Sequence, residues 1–252
     1  MQIEIKDLTY CLNRKKILQN IDLKIKDGDF WLIFGPNGAG KTTLLKIMSG
    51  LIHDFQGDAR VKGSDIKKIS TREMAKVISY QPQFEEFSLP IRIRDILLAG
   101  RYPYKSFFKN YSKEDYRVYD EVVRQLELEP FVDRDINTLS GGERKKVMLA
   151  SAFIQDVSII LFDEPFTFLD PEAVSNLKKM MVEMNRMGKT LVVVSHNFET
   201  LFPLVNKIIA LKQGQIVYSG KKVFDKDILK ETYNTAFERI TVKEKEIIFL
   251  DD

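Results

Sequence analysis

The spacing of apolar positions changes along this chain, and each change marks an element. In the first thirty residues apolar and polar positions alternate, with Ile3, Ile5, Ile17, Ile21, Leu23 and Ile25 on the apolar beat. A period of two is the pattern of half-buried strands, and Asp27, Gly28 and Asp29 supply turn residues after them. Short antiparallel strands are expected here. Trp31 to Phe34 is apolar without interruption, which suits a fully buried strand. It runs straight into a glycine-rich turn, after which Leu44, Leu45, Met48 and Leu51 recur at helical spacing.

From about Leu89 to Gln155 the pattern is helical. Ser112, with Asp115 three residues later, has the form of a capping box, and Tyr119, Val122, Val123 and Leu126 follow on one helical face. A second helix is expected from near Gly142, burying Met148, Leu149, Ala152 and Phe153. A strand returns at Ile159–Phe162. A long amphipathic helix then carries Ala173, Leu177, Met180, Met181, Met184 and Met187 on one face and stops at Gly188. Strands at Leu191–Val194 and Ile208–Leu211 complete an alternating α/β pattern. A last hairpin is expected from Ile240–Val242 and Ile247–Leu250. The layout is one module: an α/β core over 1–88 and 156–220, a helical insert over 89–155, and a short tail over 221–252.

Composition narrows the classes. The 252 residues are 44% hydrophobic and 30% charged, as in ordinary soluble domains, and can bury a core without staples. The formal charge of +3 comes from 39 basic and 36 acidic side chains that are interspersed, so nothing calls for nucleic acid. Cys11 is the single cysteine, which excludes an internal disulfide and a cysteine-held zinc or iron–sulfur centre. Met1 to Tyr10 lacks the apolar run of a secretory signal, and no run approaches the ~20 residues that cross a bilayer. The chain is expected in the cytosol, reaching a membrane only through a partner.

Candidate chemistry begins at Gly35-Pro36-Asn37-Gly38-Ala39-Gly40-Lys41-Thr42, which fits the phosphate-loop pattern G-x-x-x-x-G-K-S/T between a strand and a helix. Glycines let the backbone amides wrap phosphate, and the helix starting at Lys41 adds its positive end. Lys41 is expected on the β- and γ-phosphates, Thr42 on Mg²⁺ and Thr43 on the α-phosphate. The motif alone names a nucleoside triphosphate and no purpose. Asp163 and Glu164 end the apolar strand Ile159–Phe162, where a carboxylate beside the phosphate loop holds Mg²⁺ and its neighbour can orient or deprotonate water. Taken alone, such an acidic pair is as readily a surface loop. His196 follows another apolar strand, where it could meet the γ-phosphate and the attacking water; a lone histidine is more often structural.

Leu139-Ser140-Gly141-Gly142-Glu143 then precedes a helix. Here the chain resembles the ABC ATPase family, whose signature is L-S-G-G-Q. In order along the chain, Gly35–Thr42 matches its Walker A, Gln83 its Q-loop glutamine, Ile159–Glu164 its Walker B, Thr167–Asp170 its D-loop and His196 its switch histidine. Tyr10 stands where the family places an adenine-stacking aromatic. The resemblance implies a P-loop, RecA-like α/β core with an N-terminal antiparallel β subdomain and an inserted helical subdomain. It implies ATP and Mg²⁺ as ligands, with Gln83 contacting Mg²⁺ and sensing a membrane partner. Ser140, Gly141 and Gly142 form a second anion nest at a helix start, and in the family that nest covers the ATP of a second copy, head to tail. Three positions depart from the family: Glu143 for glutamine, Phe166 for threonine and Phe168 for alanine.

The stretch Ile93 to Tyr104, above all Gly100-Arg101-Tyr102-Pro103, is similar to the branch that powers uptake of iron–siderophore, haem and cobalamin. That likeness implies integral-membrane permease subunits, an extracytoplasmic binding protein served indirectly, and a place on the cytoplasmic face of the cell membrane. Phe84, Phe87, Tyr102, Tyr104, Phe107 and Phe108 lie near the expected Q-loop; most are read as core, and two or three as lining a groove for the permease's coupling helix. Alternatives are an exporter or lipid-handling ATPase, or a soluble ABC ATPase without a transporter.

Overall fold

Phe30–Phe34 is buried along its whole length, and alternate residues feed opposite cores: Trp31 and Ile33 one, Phe30, Leu32 and Phe34 the other. A strand covered on both faces must be apolar throughout, which is why the sequence there shows no alternation. The computed structural model describes all residues except 84–87, 106–109, 168, 197, 224, 235–236, 243–244 and 251–252, and for 199, 237–242 and 245–250 the backbone only.

The chain begins with β1 (Ile3–Leu12) and β2 (Lys15–Ile25), passes through β3 (Phe30–Phe34) and the glycine turn, and enters α1 (Lys41–Met48). β4 (Gln56–Val61), β5 (Ser64–Asp65), α2 (Thr71–Met74) and β6 (Ile78–Gln81) follow. Next come α3 (Ile93–Ala99), α4 (Lys113–Gln125), a 3-10 turn at Ile136–Thr138 and α5 (Gly141–Gln155). β7 (Ile159–Asp163), α6 (Pro171–Arg186), β8 (Thr190–Val194), α7 (Phe198–Leu201) and β9 (Lys207–Lys212) return to the sheet. β10 (Gln215–Lys221), α8 (Lys226–Tyr233), β11 (Phe237–Val242) and β12 (Lys245–Leu250) close the chain.

The central sheet runs β10-β9-β3-β8-β7-β6, parallel except for the antiparallel edge strand β10. A separate antiparallel sheet runs β2-β1-β4-β5. The first core fills the space between the two sheets around α1. The second lies on the far side of the central sheet, under α6 and α8. A third is built from residues between Ile93 and Ile154 alone. Among the described residues, no helix is long and apolar enough to cross a membrane.

Several expectations are corrected. The first strands are long, 10 and 11 residues, because Asp7 and Asn20, with φ near 48° and 49°, absorb register shifts that would otherwise end the pairing. Leu51 lies past the end of α1 and is exposed, since Gly50 at φ 71° has already turned the chain. Met187, just beyond α6, is likewise exposed beside Gly188 at φ 86°. On α5, Leu149 and Ala152 are buried as expected, but Met148 and Phe153 are half-buried, while Val147, Ala150 and Ile154 are fully buried. The reason is that α5 is clasped from two sides: Leu149 and Ala152 join the second core, and Val147, Ala150 and Ile154 the third. The tail hairpin forms with Ile240 opposite Ile247 and extends further than expected.

Candidate functional site

The carboxyl ends of β3 and β7 bring the phosphate loop and the acids together. Gly35 leaves β3 at φ 145°, and a Cβ on it would stand 1.9 Å from the Leu211 carbonyl oxygen of β9. Only glycine fits so close to a neighbouring backbone. Gly40 takes φ 101° at the cap of α1, where a Cβ would press on Leu18 and the Ile17 carbonyl at 2.7 and 2.9 Å. Between them Ala39 N–H donates to Pro36 O, and Gly214 N–H donates to Ala39 O, so the turn is tied to the β9–β10 connection. Asn37 and Gly38 are exposed and Pro36 half-buried. The start of α1 carries no side-chain cap, which leaves its amides at the loop.

Lys41 is buried and donates from Nζ to the carbonyls of Gly35 at 2.7 Å and Pro36 at 3.0 Å. Burial lowers its pKa, while the charges of Glu164 and Asp163 pull it back up. Thr42 Oγ1 donates to Asp163 Oδ1 across 3.1 Å, joining α1 to the end of β7; Thr43 is half-buried in the same turn of helix. Hard oxygen donors of this kind suit Mg²⁺.

Glu164 leaves β7 at φ 48°, a left-handed conformation uncommon for a residue with a Cβ. Its N–H donates to Val194 O, and its Oε2 accepts from the His196 backbone N–H at 3.2 Å and meets His196 Nδ1 at 2.7 Å. Glu164 is nearly buried and His196 half-exposed. Two acids at the end of one strand therefore have different partners, threonine for one and histidine for the other.

Tyr80 joins the site although no motif marks it. Its hydroxyl donates to Asp163 Oδ2 at 3.2 Å, so both carboxylate oxygens of Asp163 are held. Burial, then the Asp163 charge, pushes the Tyr80 pKa up and keeps the hydroxyl a donor. Nothing local announces this contact; it arises from the parallel pairing of β6 with β7, which sets Gln81 beside Phe162. Gln83 follows β6 beyond that same end and is exposed.

Tyr10 is half-buried on β1 opposite Leu18, the residue that crowds Gly40, so its strand approaches the loop from the antiparallel sheet. Ser140, Gly141 and Gly142 start α5 instead of joining the glycine turn. Ser140 Oγ and N–H bond the Glu143 carboxylate, and a Cβ on Gly142 would meet Ala173 and Asp170 of the α6 start. Asp170 caps α6 ahead of Pro171 by accepting from Ala173 N–H. Phe166 packs on the second core, which accounts for an aromatic there; Phe168 lies outside the described residues. So do Phe84, Phe87, Phe107 and Phe108 of the aromatic cluster, whereas Tyr102 is exposed at 61% and Tyr104 sits over Arg101 with its hydroxyl on Gln155 O.

A parallel sheet whose carboxyl edge carries a glycine turn, a lysine and two acids defines a P-loop nucleoside triphosphatase. The sequence profile of the ABC transporter family matches residues 18–167, and the chain belongs to that family as one of its ATPases. It is 31% identical over 229 residues to the ferric enterobactin transport ATP-binding protein FepC of Escherichia coli (strain K12), covering 90% of this chain and 84% of that one. It is 32% identical over 234 residues to the manganese transport system ATP-binding protein MntB of Bacillus subtilis (strain 168), covering 92% of each. Its fold is that of one chain of an ABC transporter solved in an inward-facing conformation, with a TM-score of 0.85 over 99% of this chain and 96% of that chain at 22% identity.

Proposed function

We propose that this chain hydrolyses ATP to drive an importer of the iron–siderophore, haem or cobalamin class. The observation that carries the ATPase reading is the hydrogen bond between Thr42 and Asp163, which joins two segments far apart in sequence into one oxygen-donor pair beside Lys41. The import reading draws its support from relatives named for ferric enterobactin and manganese transport and from the Gly100–Pro103 stretch.

In this reading the backbone amides of Asn37 to Gly40 and the Lys41 ammonium hold the phosphates, with Gly35 and Pro36 shaping the turn, Thr43 takes the α-phosphate, and Tyr10 stacks on adenine. Thr42 and Asp163, with Gln83, would hold Mg²⁺. That ion, when bound, neutralises charge on the β- and γ-phosphate oxygens. Glu164 accepts a proton from the attacking water. His196 holds the Glu164 carboxylate through their shared hydrogen bond and reaches toward the γ-phosphate. Ser140, Gly141 and Gly142 cover the ATP of a second copy. Residues 89–155 act as a lobe bearing that nest, and their own core between Ile93 and Ile154 supports treating them so. The chain would sit on the cytoplasmic face of the membrane, against permease subunits that an extracytoplasmic binding protein feeds.

The test is purification of the chain from its native membranes with identification of what accompanies it. A many-span permease with a metal-chelate or cobalamin-type binding protein supports import. An exporter-type membrane protein, or ribosomes and repair factors, discards import and keeps the ATPase. Unchanged ATP turnover in Lys41→Ala would overturn the phosphate assignment itself.

A further inference from the structure

The helix α8 lies after the last strand of the central sheet, in a tail to which the motifs assign no task. It is nevertheless firmly placed. Asp225 caps it by accepting from Asp227 and Ile228 N–H, Leu229 and Thr232 are buried, and it packs on β9 and β10. Lys212, the last residue of β9, bonds the Glu231 carbonyl and the Asn234 side chain, which pins the end of the helix.

That end carries Tyr233. Its ring stacks on Phe34 with centroids 6.3 Å apart and planes at 15°, and on Phe198 at 6.3 Å and 27°. Phe34 and Phe198 contact each other at 5.5 Å. Phe34 is the residue before Gly35, and Phe198 stands two after His196. The Tyr233 hydroxyl is buried beside the Gly35 backbone, with the Glu164 charge nearby. One side chain from the tail thus touches the residues flanking two separate site segments, the start of the phosphate loop and the histidine segment. Aromatic contacts of this spacing add to what burial supplies, so the cluster favours one relative placement of the segments it joins.

We propose that Tyr233 is a positioning residue for hydrolysis: it fixes the Gly35 turn against the His196 segment, making the C-terminal helix part of the ATPase machinery. The inference rests on the reading of Glu164 and His196 given above. Misplacement by an ångström is enough to slow chemistry while leaving phosphate binding, which depends on the loop amides and Lys41, largely in place.

The experiment compares the full chain with Tyr233→Phe, Tyr233→Leu and, separately, Glu164→Gln. Steady-state ATP turnover, affinity for a fluorescent ATP analogue and amide hydrogen exchange over residues 33–36 and 195–198 are read together. Tyr233→Leu is expected to lower kcat on the order of tenfold, with nucleotide affinity within about twofold and faster exchange in both segments. Tyr233→Phe keeps the stack and should recover most of the loss. The inference is overturned if Tyr233→Leu matches the parent in kcat and exchange, or if Tyr233→Phe loses as much as Tyr233→Leu. Full turnover in Glu164→Gln would instead overturn the reading on which it rests.

Discussion

The Glu143 carboxylate lies 2.7 Å from the Ser140 hydroxyl and 2.8 Å from the Ser140 amide nitrogen, closing a hydrogen-bonded ring at the start of α5. The hydroxyl and amide bonds from Ser140 hold the Glu143 pKa below its ordinary value, so the acid is charged at neutral pH. Glutamine closes the same capping box without the charge. Glu143→Gln should therefore keep α5 intact and relieve repulsion of a phosphate brought to Ser140. ATP-dependent association of two copies should strengthen by roughly threefold to tenfold at low salt and by less at high salt. Sedimentation in ATP at two ionic strengths reads this; equal association at both would refute it.

In the proposed mechanism Glu164 is the proton acceptor, and Glu164→Gln keeps the shape of the side chain while removing that group. Turnover should fall by about 10²–10⁴-fold while ATP binding persists. Trapped ATP-bound dimers should appear in size-exclusion chromatography with ATP present. A variant that stays monomeric at saturating ATP would count against pairing by the isolated chain.

Tyr80→Phe removes one of the two donors to Asp163 and leaves the other, Thr42. If Asp163 holds Mg²⁺ as proposed, Tyr80 orients a metal ligand, and such groups typically matter by 10–100-fold in metal affinity. The variant should need about tenfold more Mg²⁺ to reach its tight nucleotide-binding state, while affinity for nucleotide without Mg²⁺ is unchanged. Titration of a fluorescent ATP analogue with and without Mg²⁺ separates the two quantities.

Arg101 and Asp115 form a nearly buried ion pair at 2.9 Å, and Arg101 also donates to the Ile154 carbonyl. Arg101→Leu should destabilise the chain by about 3 kcal/mol, because it strands a buried carboxylate, and thermal melting measures the loss. Burial alone would push the Asp115 carboxyl up; the Ser112 hydroxyl and amide together with Arg101 outweigh it and hold the pKa low. A depressed carboxyl pKa contributes stability that is complete above the unfolded value, near 3.9, and is lost as pH falls through the folded one. The melting difference between parent and Arg101→Leu should accordingly shrink only in strongly acidic solution.

Much of this is legible in the sequence because its signals are local. The strand Trp31–Phe34, the glycine turn and the start of α1 follow one another directly, so pattern and spacing name them together. The capping box at Ser112 and the cap at Asp170 span three residues each. What escaped depends on pairing over long distances. Tyr80 matters through β6 lying beside β7, and α5, clasped by two cores, shows no single apolar stripe from which its buried face can be read. The Gly100-Arg101-Tyr102-Pro103 stretch is similar to one branch of the family, yet Arg101 is an internal tie between the ends of three helices, a role no spacing announces.

Because α5 is gripped on opposite sides, it cannot roll about its own axis without opening one core or the other. A push delivered to the helical region would reach Ser140 as a shift of the whole rod. The helix is thereby suited to transmit displacement and to resist torsion, as a piston does in a sleeve.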